Sequence, residues 1–401
     1  MNMLKSIPRA VYGRAQRELR DTISATMRPA HLFLNVFLLW IVCGAPLPAA
    51  AQFVQPGTKL MDAPPYIFDP LAVGLSADGN MAFVSMTCYS GCDNGTVYTF
   101  TRTDGLWSAA TAIPVAGLPH GGIGWALGVS DDGNALIVGA HLDLTRQGAG
   151  AAWVMTRSNG SWTLRATLPT GNATVAISGD GNTAIVGGVA QFIPFGPLDG
   201  GTWAYTLVGG IWTQQAKLTS GTGPAGLSRD GNTAIVGGEV YVRAAGVWAK
   251  QATLNGGASS VAISDSGDTA ISGSAVYART DGVWTQVAAL AGGGASVAIS
   301  RDGDTILLGT GETLRFANGA WTQLPGTLPS GSVALSGDGS TALVGASSSS
   351  SNPEAAWVFV QGGAGTVSAV PMLSGWQALC LAALLVAVGL FQLHRSLRRP
   401  T

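Results

Sequence analysis

The sequence predicts an all-β fold, a seven-bladed β-propeller of four-stranded antiparallel blades, and three observations carry that prediction. One short pattern, an apolar alternation, a D-G-N type turn and a second apolar stretch ending in small residues, recurs seven times between residues 73 and 346. Each copy leads into an aromatic-rich strand and, in six copies, into a G-x-W turn that opens a further alternating strand. The seventh copy lacks that last strand, and a matching stretch, FVQPGTKL at 53–60, stands ahead of the first copy with Phe53 in the place of Trp. One unit of this kind cannot bury its own apolar faces and must stack on neighbours. Four strands per unit, with one strand displaced to the far end of the chain, describe a ring latched by its termini. Closure also removes the open sheet edges of a linear array.

The elements follow from the repeat in order. In VAISGDGNTAIVGG (175–188), Val175 and Ile177 alternate with Ala176 and Ser178, a period-two strand. The S-x-D-G-N turn needs a residue at positive φ, which Gly181 supplies. A second strand, Thr183 to Val186, returns. Third strands read VYTFTR (97–102), AWVMTR (152–157), TWAYTL (202–207), VYVR (240–243), VYAR (276–279), TLRF (313–316) and AWVFV (356–360). Fourth strands open at Trp107, Trp162, Trp212, Trp248, Trp284 and Trp321. Because these tryptophans recur at one register position, they read as blade-to-blade packing rather than as a carbohydrate platform. The turn glycines Gly79, Gly133, Gly181, Gly231, Gly267, Gly303 and Gly339 lie 54, 48, 50, 36, 36 and 36 residues apart. The last blades are therefore stripped to four strands and tight turns, and the first carry insertions.

The two ends differ from the body. Residues 1–51 hold six basic and two acidic residues and the last seven hold three Arg, which leaves twelve basic against twenty acidic groups in the body of a chain whose net charge is −1. An acidic body gives no electrostatic footprint for nucleic acid. Residues 1–51 read as a signal peptide: Leu32 to Leu47 is apolar and Ala49-Ala50-Ala51 precedes Gln52, while a start at Met27 would give a signal of conventional length. The propeller is expected over 53–361, a linker over 362–375, a transmembrane helix over 376–393 and a basic cytoplasmic tail over 394–401. Cys43 and Cys380 fall in the apolar ends, so Cys88 and Cys92, in T-C-Y-S-G-C-D, are the pair that could bridge in an oxidising compartment.

The C-terminal stretch V-P-M-L-S-G-W (370–376), then an apolar segment, then arginines, resembles the IPTL-CTERM sorting signal of Gram-negative bacteria. Pro371, Leu373, Ser374 and Trp376 match it; Val370 and Met372 depart, and Arg395, Arg398 and Arg399 form its basic end. The resemblance implies recognition by an exosortase-type enzyme and a membrane anchor that is at least transient. The body pattern L-S-x-D-G-N-T-A-L-V-G-A, an aromatic strand and G-x-W-T-Q-Q-A-K-L resembles the bacterial FG-GAP-type repeat, related to integrin-α propellers; kelch repeats share the order V-G-G, Tyr, Trp. Both families imply the same fold.

Many FG-GAP blades hold calcium through dense, alternating acidic loops. Here Asp78, Asp180, Asp230 and Asp338 stand one to a turn, and the richest turns hold Asp131 with Asp132, Asp265 with Asp268, and Asp302 with Asp304. These turns read as hairpin chemistry; no metal and no cofactor are expected, calcium being the ion that the family resemblance would bring. The body has only His120 and His141, three Glu and three Lys, and no nucleophile motif or phosphate loop, so the expectation is that the chain is not an enzyme. The alternative is a polysaccharide-active or other extracellular enzyme with its site in the central opening. The inserted second-to-third connections, 87–96, 141–150, 189–201 and 347–355, belong to blades one, two, three and seven, neighbours in a closed ring, and leave from one face together with the loop holding His120. Insertions gathered on one face are where repeat proteins bind. Tyr89, His120, His141, Asp143, Arg146, Phe192 and Phe195 are the candidate contacts for a protein or glycan ligand at the cell surface or in the envelope, with Cys88 and Cys92 stiffening one loop.

Overall fold

A computed structural model describes residues 52–54, 57–62, 72–86, 95–114, 123–140, 151–168, 174–188, 192–193, 196–197, 200–255, 259–291, 296–346 and 355–362. The signal peptide, the start at Met27, the sorting motif, the apolar C-terminal segment and the pair Cys88 and Cys92 lie outside them. The described residues form a seven-bladed propeller of four-stranded antiparallel blades. Blades 2 to 6 are each built from consecutive strands; blade 4, for example, runs Ala225–Leu227, Thr233–Val236, Glu239–Ala244 and Val247–Thr253. In blade 1 the outermost strand is broken into Leu106–Trp107 and Thr111–Ala112, both paired with Thr96–Thr103. In blade 6 it ends at Gln323, two residues before Pro325, whose ring cannot continue a ladder.

Blade 7 is completed from the other end of the chain. Thr58–Asp62 pairs antiparallel with Ala355–Val360, and Phe53 forms a bridge with Gln361. Backbone bonds from Val54 N–H to Val360 O and from Gly362 N–H to Gln52 O extend the pairing on both sides. The latch also packs: Phe53 is buried with Leu307 and Leu328 of blade 6 and Phe359 of blade 7, while Leu60 and Met61 flank the cluster joining blade 7 to blade 1.

The apolar core is divided among the seams between blades rather than gathered in one place. One cluster joins Ile185 and Ala204 of blade 3 to Ala234, Val236 and Tyr241 of blade 4; another joins Ile235, Val240 and Leu254 of blade 4 to Ala270 and Tyr277 of blade 5. Such seams follow from the sequence pattern: the second strand of each blade is apolar on both faces because both are covered, as in Thr233–Val236 and Thr305–Leu308, buried throughout. The outermost strands face water on one side and alternate, as in Val283–Ala289.

Candidate functional site

The face carrying the first-to-second turns is built from one repeated hydrogen-bond unit. In blade 1 the buried Ser76 Oγ donates to Asp78 Oδ1 at 2.6 Å and accepts from the Met81 N–H, while the Asn80 N–H and Nδ2 donate to the two oxygens of Asp78. The same unit recurs around Asp132, Asp230 and Asp338, with Ser340 in the place of Asn in the last. Burial opposes ionisation of these carboxylates, but the hydrogen bonds from Ser and Asn outweigh it and hold Asp78, Asp132, Asp230 and Asp338 below the ordinary value. Among the described residues no group of three or more His, Cys, Asp or Glu side chains is placed to share a metal ion. The turn glycine is doubly constrained: Gly231 sits at φ 66°, and a Cβ there would stand 2.5 Å from Oγ1 of Thr183 in the preceding blade.

The residue that follows the Ser of each turn does something the sequence reading missed. Its backbone joins that of the next blade: Ala77 N–H to Asp131 O, Asp131 to Gly179, Arg229 to Asp265, Asp265 to Arg301, Arg301 to Gly337 and Gly337 back to Ala77, with Asp180 N–H serving the Arg229 carbonyl. This is a closed circle of seven backbone hydrogen bonds, and its last member joins blade 7 to blade 1. The side chains at the same position meet across the ring. Arg301 of blade 6 stands 2.7 Å from Asp131 of blade 2 and 2.5 Å from Asp265 of blade 5, and Arg229 of blade 4 stands 2.7 Å from Asp131. Blades 2 and 6 are as far apart as a ring of seven allows, so these pairs bridge the axis. Blades 1, 3 and 7 hold Ala77, Gly179 and Gly337 at this position, which makes room: a Cβ on Gly179 would lie 2.6 Å from Asp131 Oδ2.

Although close, these contacts are poorly aligned. Asp131 Oδ2, Asp265 Oδ2 and Arg301 Nε lack a partner along their hydrogen-bonding directions, so the cluster is held by charge more than by directed bonds. Burial pushes Asp265 up from the ordinary carboxylate value; Arg301 opposes this, and Asp131 adds to it. Two carboxylates and two guanidiniums sum to zero charge. The cluster therefore ties blades 2, 4, 5 and 6 together across the axis at this face.

At the opposite ends of the strands the blades are unequal. The second-to-third connections of blades 4 and 5 are the two-residue turns Gly237-Gly238 and Gly273-Ser274, and that of blade 6 is residues 309–312. Those of blades 1, 2, 3 and 7 run from Met86 to Thr96, Ala140 to Ala152, Gly188 to Gly201 and Ala346 to Ala355. Tyr89, His120, His141, Asp143, Arg146 and Phe195 lie outside the described residues; Phe192 is placed by its backbone alone, in a two-residue strand paired with Pro197. Beside the short turn of blade 4, Tyr241 Oη donates to Glu239 at 2.6 Å and Lys250 pairs with the same carboxylate. Burial and Glu239 push the Tyr241 phenol up to about 12, which keeps it a proton donor rather than a base.

No protein-family model matches the chain, and no curated protein does. Two solved structures share the propeller at low identity. The Kuenenia stuttgartiensis hydrazine synthase is 13% identical with a TM-score of 0.47, covering 78% of this chain and 100% of that one. The Pseudomonas aeruginosa periplasmic gluconolactonase, PpgL, is 16% identical with a TM-score of 0.44, covering 71% of this chain and 96% of that one. Both are named for enzymes. The expectation that the chain is not an enzyme is corrected: a propeller does not by itself decide activity, and a scarcity of His, Glu and Lys in the sequence counts residues without saying which of them a ring brings together.

Proposed function

We propose that the chain is an exported propeller of the cell surface or envelope that binds a protein or glycan ligand through the loop face of blades 7, 1, 2 and 3. The observation that carries this reading is the inequality of the two faces. The turn face is stapled by repeated Ser–Asp–Asn units and bridged across its axis by paired charges. Long connections are confined to four neighbouring blades of the other face. Loops on a rigid ring are where binding residues concentrate. The sevenfold pattern keeps its resemblance to FG-GAP-type repeats, and the segment from Val370 to Arg399 its resemblance to the IPTL-CTERM signal; both support export and a C-terminal membrane anchor, cleaved or retained.

The test is an array of glycans and surface proteins probed with the whole chain and with a variant whose connections 141–150 and 189–199 are cut to two-residue turns. Loss of binding at an unchanged melting temperature is the expected result. Binding that survives trimming sinks the loop-face reading. Ligand turnover that survives trimming places the site in the central opening instead. Mass spectrometry of the two mature ends tests export and sorting: removal of residues 1–51 is expected, and an end beyond Trp376 would show that the C-terminal segment is retained.

A further inference from the structure

Both described ends of the chain leave the propeller side by side on the turn face. The third strand of blade 7 ends at Gln361, whose N–H bonds to the Ser340 carbonyl of the first-to-second turn; Gly362 N–H bonds to Gln52 O, and Phe53 opens the latch strand at the same end. The apolar segment Trp376–Leu393 therefore continues from this face, through a linker of residues 363–375 that reaches at most about 45 Å when extended. The same face carries exposed aliphatic side chains at the tips of its third-to-fourth turns. Leu106 is 77% exposed, Ile211 69%, Val247 68% and Val283 62%, all at the x of G-x-W, with Val208 beside Ile211 at 64%. The strand pairing does not need them, because the Trp that follows each one makes the inward contact.

We infer that the turn face is the membrane-facing side of the protein, with the aliphatic turn tips resting in the interface of the bilayer that holds the C-terminal segment. Chain exit and exposed aliphatics point the same way independently. Asp104 and Asp281 share the turn tips with Leu106 and Val283, so the contact is apolar and does not depend on anionic lipid. The orientation turns the long connections of blades 7, 1, 2 and 3 away from the membrane and leaves the charge-bridged end of the axis beneath. It rests on the C-terminal anchor of the proposed function.

The test uses the whole chain in phosphatidylcholine vesicles with an acceptor dye among the headgroups. A donor is clicked onto an azido amino acid replacing either Asp281, at a turn tip of blade 5, or Ser274, at the other end of the same blade. The strand between them, Ala275–Thr280, is roughly 20 Å long, so transfer from position 281 is expected to be at least about twofold stronger. Replacing Leu106, Ile211, Val247 and Val283 together by Ser is expected to cut that excess while the chain still floats with the vesicles and melts unchanged. Equal transfer from the two positions, or more from 274, overturns the orientation. An unchanged excess in the fourfold variant overturns the aliphatic contact, as does conversion of a dimer to a monomer by that variant, which would assign the face to a second copy. A chain that does not float sinks the anchor and the orientation together, whereas a floating chain with the wrong transfer sinks the orientation alone.

Discussion

Ala245 holds φ at 49°, in the left-handed region, at the first central position of the third-to-fourth turn of blade 4. Four other blades place Asp104, Asn159, Asp281 and Asn318 there at φ 51–53°, and blade 3 uses Gly209. Asn adopts that conformation at a lower cost than Ala. Ala245→Asn is therefore expected to stabilise the protein by about 0.5–1 kcal/mol, read as a rise in the denaturant midpoint at unchanged slope. The turn aspartates give a second expectation. Asp78, Asp132, Asp230 and Asp338 lie below the ordinary carboxylate value of 3.8 when folded, so their contribution is complete above that pH and fades as the pH falls through their folded values. Asp265, raised, has the opposite sign, and its contribution falls as the pH climbs above 3.8. Melting temperature should thus drop below pH 4, and Asp230→Asn, which keeps one of the two acceptor oxygens and removes the titration, should start lower but drop less over the same interval.

The outermost strands carry a bulge that decides what they do. In blade 3, Tyr205 pairs with Gln214 and Ala204 with Ala216, which leaves Gln215 out of the ladder; Gln251 of blade 4 and Val287 of blade 5 are skipped in the same way. A bulge re-aims its residue. Gln215 accepts from Trp248 Nε1 at 2.9 Å and from Arg243 of the next blade, and Arg243 stacks over Trp248 at 5.2 Å and donates back to Thr183 of blade 3. Gln251 serves Trp284 and Arg279 likewise. Blade 6 has Phe316 where blades 4 and 5 have Arg, and the bulged residue facing that seam is Val287 rather than Gln. A double-mutant cycle of Gln215→Ala and Trp248→Phe should therefore give a coupling of about 0.5–1.5 kcal/mol, whereas Gln215→Ala with Trp321→Phe, on separate seams, should be additive. The strands and turns of these elements were legible because seven copies display their register. Trp as seam packing was legible too, but its Gln partner was not: Trp212, Ala216 and Leu218 keep one alternation on both sides of Gln215, so the bulge leaves no mark in the pattern.

At the scale of the molecule, closure does two things that no single repeat can do. It joins Gly337 to Ala77 and completes the backbone circle, and it sets Arg301 opposite Asp131. Of the seven turn residues Ala77, Asp131, Gly179, Arg229, Asp265, Arg301 and Gly337, the sequence singles out only Asp131 and Asp265, and those as hairpin chemistry, because only the ring brings the seven to one axis. The ring itself was legible from the displaced strand at 53–60. The candidate ligand face was legible only as unequal spacing of the turn glycines, since loop side chains follow no repeat. All of this stands on the latch between the N-terminal strand and Ala355–Val360. The most direct measurement is the heat unfolding of the protein with and without residues 52–62. A markedly lower melting temperature is expected for the shortened chain, through loss of the Phe53 cluster and an opened blade 7, together with faster amide exchange at the seams of blades 6, 7 and 1. An unchanged melting temperature and unchanged exchange at those seams would contradict the latch.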